Sequence, residues 1–551
     1  MQQIEGPRIL DTGAGLSYSK TVEYKTRLLY SKYNPAKSIL SLIERSKFLP
    51  GTLIILKSPC LFYGLAELIQ KLPEHCPIIA VEYEAELFSL AKTSLSEINL
   101  EESIQLFSST DLNSLDSYLR KTADSGDIKR VMPLDFSGGV QFNPEFYNTV
   151  CFAAQEIISS FWKNRITIVK MGRLFSKNIF CNLQSTSPSL TLGSVSRTVS
   201  KPIIVCGAGE SLDSTFSDEK KEFIKNVKAG KFFILAVDAA LSSHMDRGIP
   251  VDAVVVMESQ SAIQNAFIGT KGSRIPLFAD LCSRPQLPSI LNGPVIHYAT
   301  RYASARYLDD LKANGIIDSF IPPLGSVGLT ATLIALYLRK NTSVRVYVTG
   351  LDFSWSMGLT HAKGTPAHKR RLFCHTKTNM LGAYDAAFGN GSSFVQGKAG
   401  SVISSSIMGV YAATFNSMFA REENLIDIRE DGLPLDIQEG RVEAECSGNS
   451  NDFISALEES EDRRKNDDKI KAWIQNEKNV LITARDLLIN GEKSELRDTK
   501  IDLNDQLEGL LAPRDYLYLH FPDGTHFSME AQFLKRVRAE IDYFLKWIRY
   551  F

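Results

Sequence analysis

From about residue 50 to 195, and again from about 196 to 430, short apolar runs alternate with segments whose apolar residues fall at helical spacing. TLIILKSP (52–59) follows Pro50-Gly51 and reads as a buried strand, LFYGLAELIQKL (61–72) as a helix, and PIIAVEYEAELFSLA (77–91) repeats the order. In the second region KPIIVCG (201–207), KFFILAVD (231–238), VDAVVVMES (251–259), GPVIHYA (293–299) and VRVYVTGLD (344–352) predict strands, and TATLIALYLRK (330–340) predicts a helix. Strand, helix, strand with short connections is the pattern of a parallel, doubly wound sheet, because a parallel pair needs a crossover that packs on the sheet face. Between the two regions, QSTSPSLTLGSVSRTVS (184–200) is rich in Ser and Thr and predicts a linker or edge structure. After about 431 the pattern changes. EESEDRRKNDDKIKAWIQNEKNVLITARDLLI (458–489) is charge-dense with helical spacing and predicts a solvated helix. SMEAQFLKRVRAEIDYFLKWIRYF (528–551) is amphipathic, and a helix packed on its own domain is expected ahead of a partner or membrane-surface helix. The expected fold is α/β, with an N-terminal Rossmann-like domain over 1–195, a central doubly wound domain over 196–430 and a helical region over 431–551.

A chain of 551 residues exceeds what one core holds, in keeping with this division. Its 44% hydrophobic and 23% charged residues exclude disorder along most of its length. Lys+Arg 62 against Asp+Glu 63 leaves a formal charge of −1, so no nucleic-acid partner is expected. Cysteines at 60, 76, 151, 181, 206, 282, 374 and 446 stand in no CxxC arrangement, which points to reduced thiols rather than a zinc ribbon or a disulfide framework. No apolar run nears the ~20 residues of a membrane span, and MQQIEGPRILDTG lacks the apolar stretch of a signal peptide. A cytoplasmic protein without a transmembrane segment is expected.

The candidate chemistry lies at the strand ends of the second region. IIVCGAGESLDS (203–214) takes a strand straight into Gly207-Ala208-Gly209-Glu210-Ser211. Glycines there let a backbone approach a ligand, and the amides that follow suit a nucleotide phosphate, although a plain tight turn has the same sequence. Asp213 stands where the dinucleotide fingerprint has its third glycine, which argues against NAD. Asp238 ends one strand, and Glu258 and Ser259 end the next. Polar groups at neighbouring strand ends converge on the crevice where such sheets bind ligands, though each alone could equally cap a helix. Gly325-Ser326 precedes a helix, as an anion site or as a simple N-cap. Gly350 and Asp352 end a further strand, and a polar loop follows with His361, Lys363, Gly364 and His368. Histidine suits proton transfer because its ordinary pKa lies near neutrality. His361, His368 and His375 recur at intervals of seven, but Gly364 and Pro366 interrupt the helix that a metal site would need, so no metal is expected.

Together, strand-GAGESL, strand-D, VDAVVVMES, GSVGLTA and VTGLDFS…THAKGT resemble the central domain of the bacterial motility accessory factors (Maf proteins). These are flagellin glycosyltransferases whose central domain is grouped with the 6-hydroxymethylpterin diphosphokinase MptE-like proteins. RLLYSKYNPAKSI (27–39) and LIILKSPCLFYG…IIAVEYEAELF resemble the family's N-terminal segment and sheet, so the resemblance spans about residues 20–430. In that sheet Lys57-Ser58-Pro59-Cys60 replaces the family's glycine-rich turn. Pro59 has no N–H and the bulkier residues block a ligand, so a scaffold without cofactor is expected there, although Glu82 ends its strand where a ribose could bind. The central domain is also similar to bacterial sialyltransferases of GT-A-like fold, which use CMP-activated sugars and take the acceptor proton with a histidine in a mobile lid.

This resemblance implies that Gly207, Gly209, Ser211, Asp238, Ser326, Gly350 and Asp352 line a nucleotide pocket, beside the strand-end residues Glu258, Ser259 and Gly325. It implies His361 as the base, with Asp352 in the same catalytic site and Lys363 or Arg370 on the departing phosphate. Glu210 stands where the sialyltransferases have proline, and no DxD occurs between 196 and 430, as in transfer that needs no bound metal. The expected activity moves a nonulosonic acid from its CMP donor onto Ser or Thr of flagellin by single displacement. Two alternatives stay open. One is pyrophosphoryl transfer from ATP to a pterin alcohol, with Mg²⁺ held by Asp238, Glu258 and Asp352. The other is a flagellin-binding factor whose pocket has decayed. The leading reading requires the 207–211 turn and Asp352 to face each other across one crevice.

Overall fold

The computed structural model describes residues 6–13, 18–185, 190–380, 389, 391–443, 451–458, 460–491 and 497–548. They form two compact units, Met1–Val169 and Lys170–Phe551. In the first, strands Thr52–Lys57, Ile78–Glu82, Ile104–Ser108 and Arg130–Asp135 make a parallel sheet with Thr52–Lys57 between Ile78–Glu82 and Arg130–Asp135. Helices cover both faces, which is why its strands read as unbroken apolar runs rather than alternating ones. Ile54 and Leu56 pack with Ile39, Leu65 and Leu87 on one side, and Leu53 and Ile55 with Leu115, Leu119 and Ala154 on the other.

At the carboxyl end of that sheet Glu82 has no exposed surface. It accepts hydrogen bonds from Ser58 Oγ at 2.8 Å, Tyr147 OH at 2.8 Å and the Tyr83 amide at 2.9 Å. Burial pushes its pKa up, against these bonds. Both Glu82 oxygens are thus engaged by partners within the unit.

In the second unit a parallel sheet runs Phe320–Ile321, Val295–Thr300, Leu277–Asp280, Ala253–Val256, Phe233–Val237, Ile203–Cys206, Val346–Thr349, Leu425–Asp427, Gln438–Glu439. The chain starts in the middle, steps outward strand by strand, then returns through helix Val327–Leu338 to the other side. The strand order therefore reverses between Ile203–Cys206 and Val346–Thr349, the place where doubly wound sheets open a ligand crevice. Leu190–Thr191 pairs with Val295–Thr300, so the Ser/Thr-rich stretch supplies edge structure. Its residues 186–189 lie outside the described residues, as does Cys446.

The C-terminal helices pack onto this unit. The charge-dense helix Ser460–Gly491 buries a stripe of Ile470, Trp473, Ile474, Leu481 and Leu488, and Ala531–Trp547 buries Phe533, Val537, Ile541 and Phe544. Both stripes share one core with Leu281, Tyr307 and Leu311, so the amphipathic end segment packs on its own unit; residues 549–551 lie outside the described residues. Helix Pro144–Ser185, 42 residues long, supplies Val150 and Ile158 to the first unit's core and Ile179, Phe180 and Leu183 to the second's. Among the described residues no helix is long and apolar enough to cross a membrane.

Candidate functional site

At the strand-order reversal two glycine turns meet backbone to backbone. The Gly207 amide donates to Thr349 O at 2.8 Å, and the Gly209 amide to Gly350 O at 2.7 Å. A β-carbon on Gly207 would lie 2.1 Å from Gly350 O, and one on Gly350, whose φ is +67°, would lie 2.2 Å from Gly207 O. The glycines are required by this mutual approach. Ser211 then closes the contact: its amide donates to Asp352 Oδ2 at 2.8 Å, its hydroxyl to Asp352 Oδ1, and its Oγ accepts from the Gly350 amide at 2.9 Å. The turn and Asp352 thus face each other, but in direct contact, with no room for a nucleotide between them. Among the described residues the amides of Ala208 and Glu210 have no protein acceptor, which leaves them as the turn's available donors.

Asp352 is 5% exposed, and burial lifts its pKa to about 6 against the pull of Arg429 and the Ser211 bonds. Arg429 donates to Leu351 O at 2.7 Å and grips Asp427 through Nε and Nη2 at 2.9 and 2.8 Å, while Lys398 Nζ reaches Asp427 at 2.9 Å. This cluster joins Lys398 to the Asp427-Ile428-Arg429 segment and to the main chain of Leu351, 78 residues before Arg429. Glu210, in the place of the sialyltransferase proline, accepts from Ser356 Oγ at 2.9 Å and so ties the turn to the loop beyond Asp352.

The loop bearing His361 is bonded onto the same turn. The Ala362 amide donates to Ala208 O at 2.9 Å, and the Lys363 amide to both oxygens of Asp213 at 3.1 Å. Arg247 pairs with Asp213, and Ser242 and Ser243 donate to Gly364 O and Lys363 O at 2.8 and 2.6 Å. Asp213, at the missing third glycine, is therefore the loop's anchor. His361 is half-buried with Nδ1 3.1 Å from Thr360 Oγ1, and its pKa is lowered by burial and by Arg371, which keeps the imidazole neutral. His368 lies on helix Pro366–Cys374, where its Nδ1 accepts from the Gly364 amide at 3.3 Å, and His375 ends that helix. Lys363 and Arg370 are exposed. Among the described residues no three His, Cys, Asp or Glu side chains are grouped to hold a metal ion.

The other strand-end residues line up along the same sheet edge. Asp238 is buried and accepts from the Ala239 amide at 2.6 Å. Glu258 accepts from the Gln260 amide at 2.8 Å. Ser259 O receives Asn178 Nδ2 at 3.1 Å. Ser326 caps helix Val327–Leu338 by accepting from the Gly328 amide at 3.3 Å, and Gly325 takes φ +73° against the Tyr411 ring. The sequence reading did not single out Asn178, Asn182 or Asp280. The two asparagines, four residues apart and so on one face of the helix beside Ile179, Phe180 and Leu183, were the available signal. Asp280 ends its strand, where the Thr300 hydroxyl and amide and the Cys282 amide bond to it.

Burial raises Asp238 from 3.8 to about 7, with Glu258 pushing the same way. The folded state thus favours the protonated acid. The stability this contributes is complete below the ordinary carboxylate range and is lost as pH rises through about 7. Asp238→Asn keeps the shape and removes the titration. Its melting temperature is expected to gain on the parent's as pH goes from about 5 to 8; a constant difference across that range would show that Asp238 does not titrate there.

Residues 174–358 match the family described as 6-hydroxymethylpterin diphosphokinase MptE-like. An uncharacterized protein of Treponema pallidum (strain Nichols) is 29% identical over 562 residues, spanning 98% of this chain and 94% of its own. The structure of a MAf glycosyltransferase from Magnetospirillum magneticum AMB-1 aligns over 100% of this chain and 94% of its own with a TM-score of 0.61 at 14% identity. Over residues 174–358 the chain carries an MptE-like domain, and along its whole length it has the fold of a Maf glycosyltransferase.

Proposed function

We propose that this protein is a cytoplasmic glycosyltransferase that moves a nonulosonic acid from a CMP donor onto Ser or Thr hydroxyls of flagellin, by single displacement with His361 as base. The observation that carries the reading is the backbone bond from Ala362 to Ala208 O, which holds the His361 loop on the strand-end turn at the strand-order reversal. A doubly wound sheet takes nucleotides there, and an imidazole kept neutral by burial can accept a hydroxyl proton. CMP is a competent leaving group, so the protein has only to set the acceptor oxygen in line and remove its proton. The free amides of Ala208 and Glu210 suit the donor phosphate, and Lys363 and Arg370 supply positive charge nearby in the chain. Asp352 acts as a positioning residue, through Ser211. The shared fold with the MAf glycosyltransferase supports the same reaction class.

A second reading, diphosphate transfer from ATP to a pterin alcohol, is favoured by the description of the matching family. It requires Mg²⁺ between carboxylates and phosphates. The residues do not fit that ion: both Asp352 oxygens bond to Ser211, Glu258 accepts from the Gln260 amide, and among the described residues no three His, Cys, Asp or Glu side chains are grouped to hold a metal.

The intact mass of flagellin made with and without this protein tests the proposal. A rise by whole multiples of one sugar residue is expected. Flagellin that binds the protein but gains no mass would leave a binding factor. In calorimetry CMP is expected to bind without metal, whereas binding of ATP with Mg²⁺ and none of CMP would favour the diphosphokinase.

A further inference from the structure

Ser392–Gln396 and Ser401–Ser405 form a two-stranded antiparallel ribbon outside the central sheet. One edge of it is tied to the segment that follows Asp352. The Ser404 hydroxyl donates to Phe353 O at 2.8 Å, and Trp355 exchanges both main-chain bonds with Ile403, at 2.8 and 2.9 Å. The next residue, Ser356, donates through its amide and its hydroxyl to Glu210 of the glycine turn. The other edge is open. Ile403 directs its amide and carbonyl to Trp355, and the Gly397 amide bonds to Gly400 O at 2.7 Å, so the bonds within the ribbon fall at 393, 395 and 397. The amides and carbonyls of Phe394 and Gln396 therefore point outward, and among the described residues these main-chain groups have no partner. Both residues are exposed, Phe394 by 65%.

A two-stranded ribbon is marginal in water by itself, and edges that must stay open are normally guarded by charge or proline. Neither occurs in SSFVQ or in SVISS. A row of unpaired main-chain donors and acceptors is matched by an extended polypeptide, which adds as a further strand, and not by a lipid surface or a small molecule. The polypeptide that has to come to this site is the acceptor, and the ribbon belongs to the site through Phe353, Trp355 and Ser356. A strand added to the open edge lies three strand spacings, about 14 Å, from the Trp355 segment, which four or five extended residues span. We propose that Ser392–Gln396 binds an extended segment of the flagellin acceptor as an added strand, held by main-chain bonds a few residues from the hydroxyl that is modified. This rests on the transferase reading, which supplies the acceptor.

Amide hydrogen exchange on the full chain, with unassembled flagellin as the probe, tests it. Exchange over residues 392–397 is expected to slow when flagellin is added and not when CMP alone is added. Gln396→Pro removes one outward donor and no bond of the ribbon. It is expected to bind flagellin at least about tenfold more weakly, the scale of leaving a buried acceptor without its donor, while CMP affinity stays within about twofold of the parent's. Gln396→Ala keeps the N–H and is expected to recover most of the affinity, which a contact made by the side chain would not allow. If flagellin leaves exchange over 392–397 unchanged, or Gln396→Pro binds it like the parent, the inference falls, and sugar transfer by the same preparation would leave the transferase reading standing. Slowing that follows this protein's own concentration without flagellin also overturns it, since the edge would then pair two copies of the chain. Slowed exchange with flagellin that gains no sugar would uphold the docked strand and remove the transferase reading alone.

Discussion

His361→Ala is expected to lower sugar transfer at least ~100-fold, the usual scale for losing a general base, while CMP affinity stays within about twofold of the parent. The two readouts separate because the loop is held by main-chain and anchor contacts, not by the imidazole: Ala362 to Ala208, Lys363 to Asp213, and Ser242 and Ser243 to the loop carbonyls. The pH dependence carries the sharper test. Burial and Arg371 both lower the His361 pKa from its ordinary 6.5, so the neutral base persists to lower pH than an exposed histidine would. The acid limb of kcat/KM is therefore expected below 6.5, and it should be absent from whatever activity His361→Ala retains. Near-parental transfer by the variant, with the fold intact, would take His361 out of the chemistry. His368→Ala is the control, since that ring receives the Gly364 amide from within the loop.

Much of the central sheet could be read directly. Strands buried on both faces leave unbroken apolar runs, and Ile203–Cys206 and Phe233–Val237 are buried throughout. Leu277–Asp280 and Leu425–Asp427 escaped because their uninterrupted apolar runs are only LFA, between Pro276 and Asp280, and LI, before Asp427. The site was legible as positions but not as contacts. A glycine at a strand end announces that something will come within reach of a missing β-carbon, and ligand and backbone leave the same mark. At Gly207 the occupant is Gly350, and at Gly209 it is the Asp352 carboxylate, 2.5 Å from where a β-carbon would stand. Asp352 was legible as a strand-end acid, yet its partner Ser211 is 141 residues away. Arg429, Asp427 and Lys398 make sense only once the last strands are placed beside Val346–Thr349. The same holds for Asp213, whose acceptance of the Lys363 amide spans 150 residues.

Gly207→Ala is expected to destabilise the second unit by at least about 1–3 kcal/mol, the range for forcing atoms into a packed interior. The new methyl would lie 2.1 Å from Gly350 O and 2.5 Å from the Gly350 carbonyl carbon and Leu351 Cδ2. Neither backbone can retreat freely: the Gly207 amide is bonded to Thr349 O, and the Gly350 amide to Ser211 Oγ. Gly350→Ala adds the strain of a left-handed φ to an equivalent clash and is expected to cost more. Gly409→Ala supplies the opposite sign. Gly409 lies within helix Ser406–Phe419 with nothing inside 4 Å of its missing β-carbon, so alanine there is expected to add about 0.5–1 kcal/mol through helix propensity. Thermal unfolding of the three variants beside the parent should therefore give Gly409→Ala above it and the other two below, Gly350→Ala lowest. A Gly207→Ala protein that melts with the parent would mean that the two turns do not touch, and the crevice at the strand-order reversal would have to be redrawn.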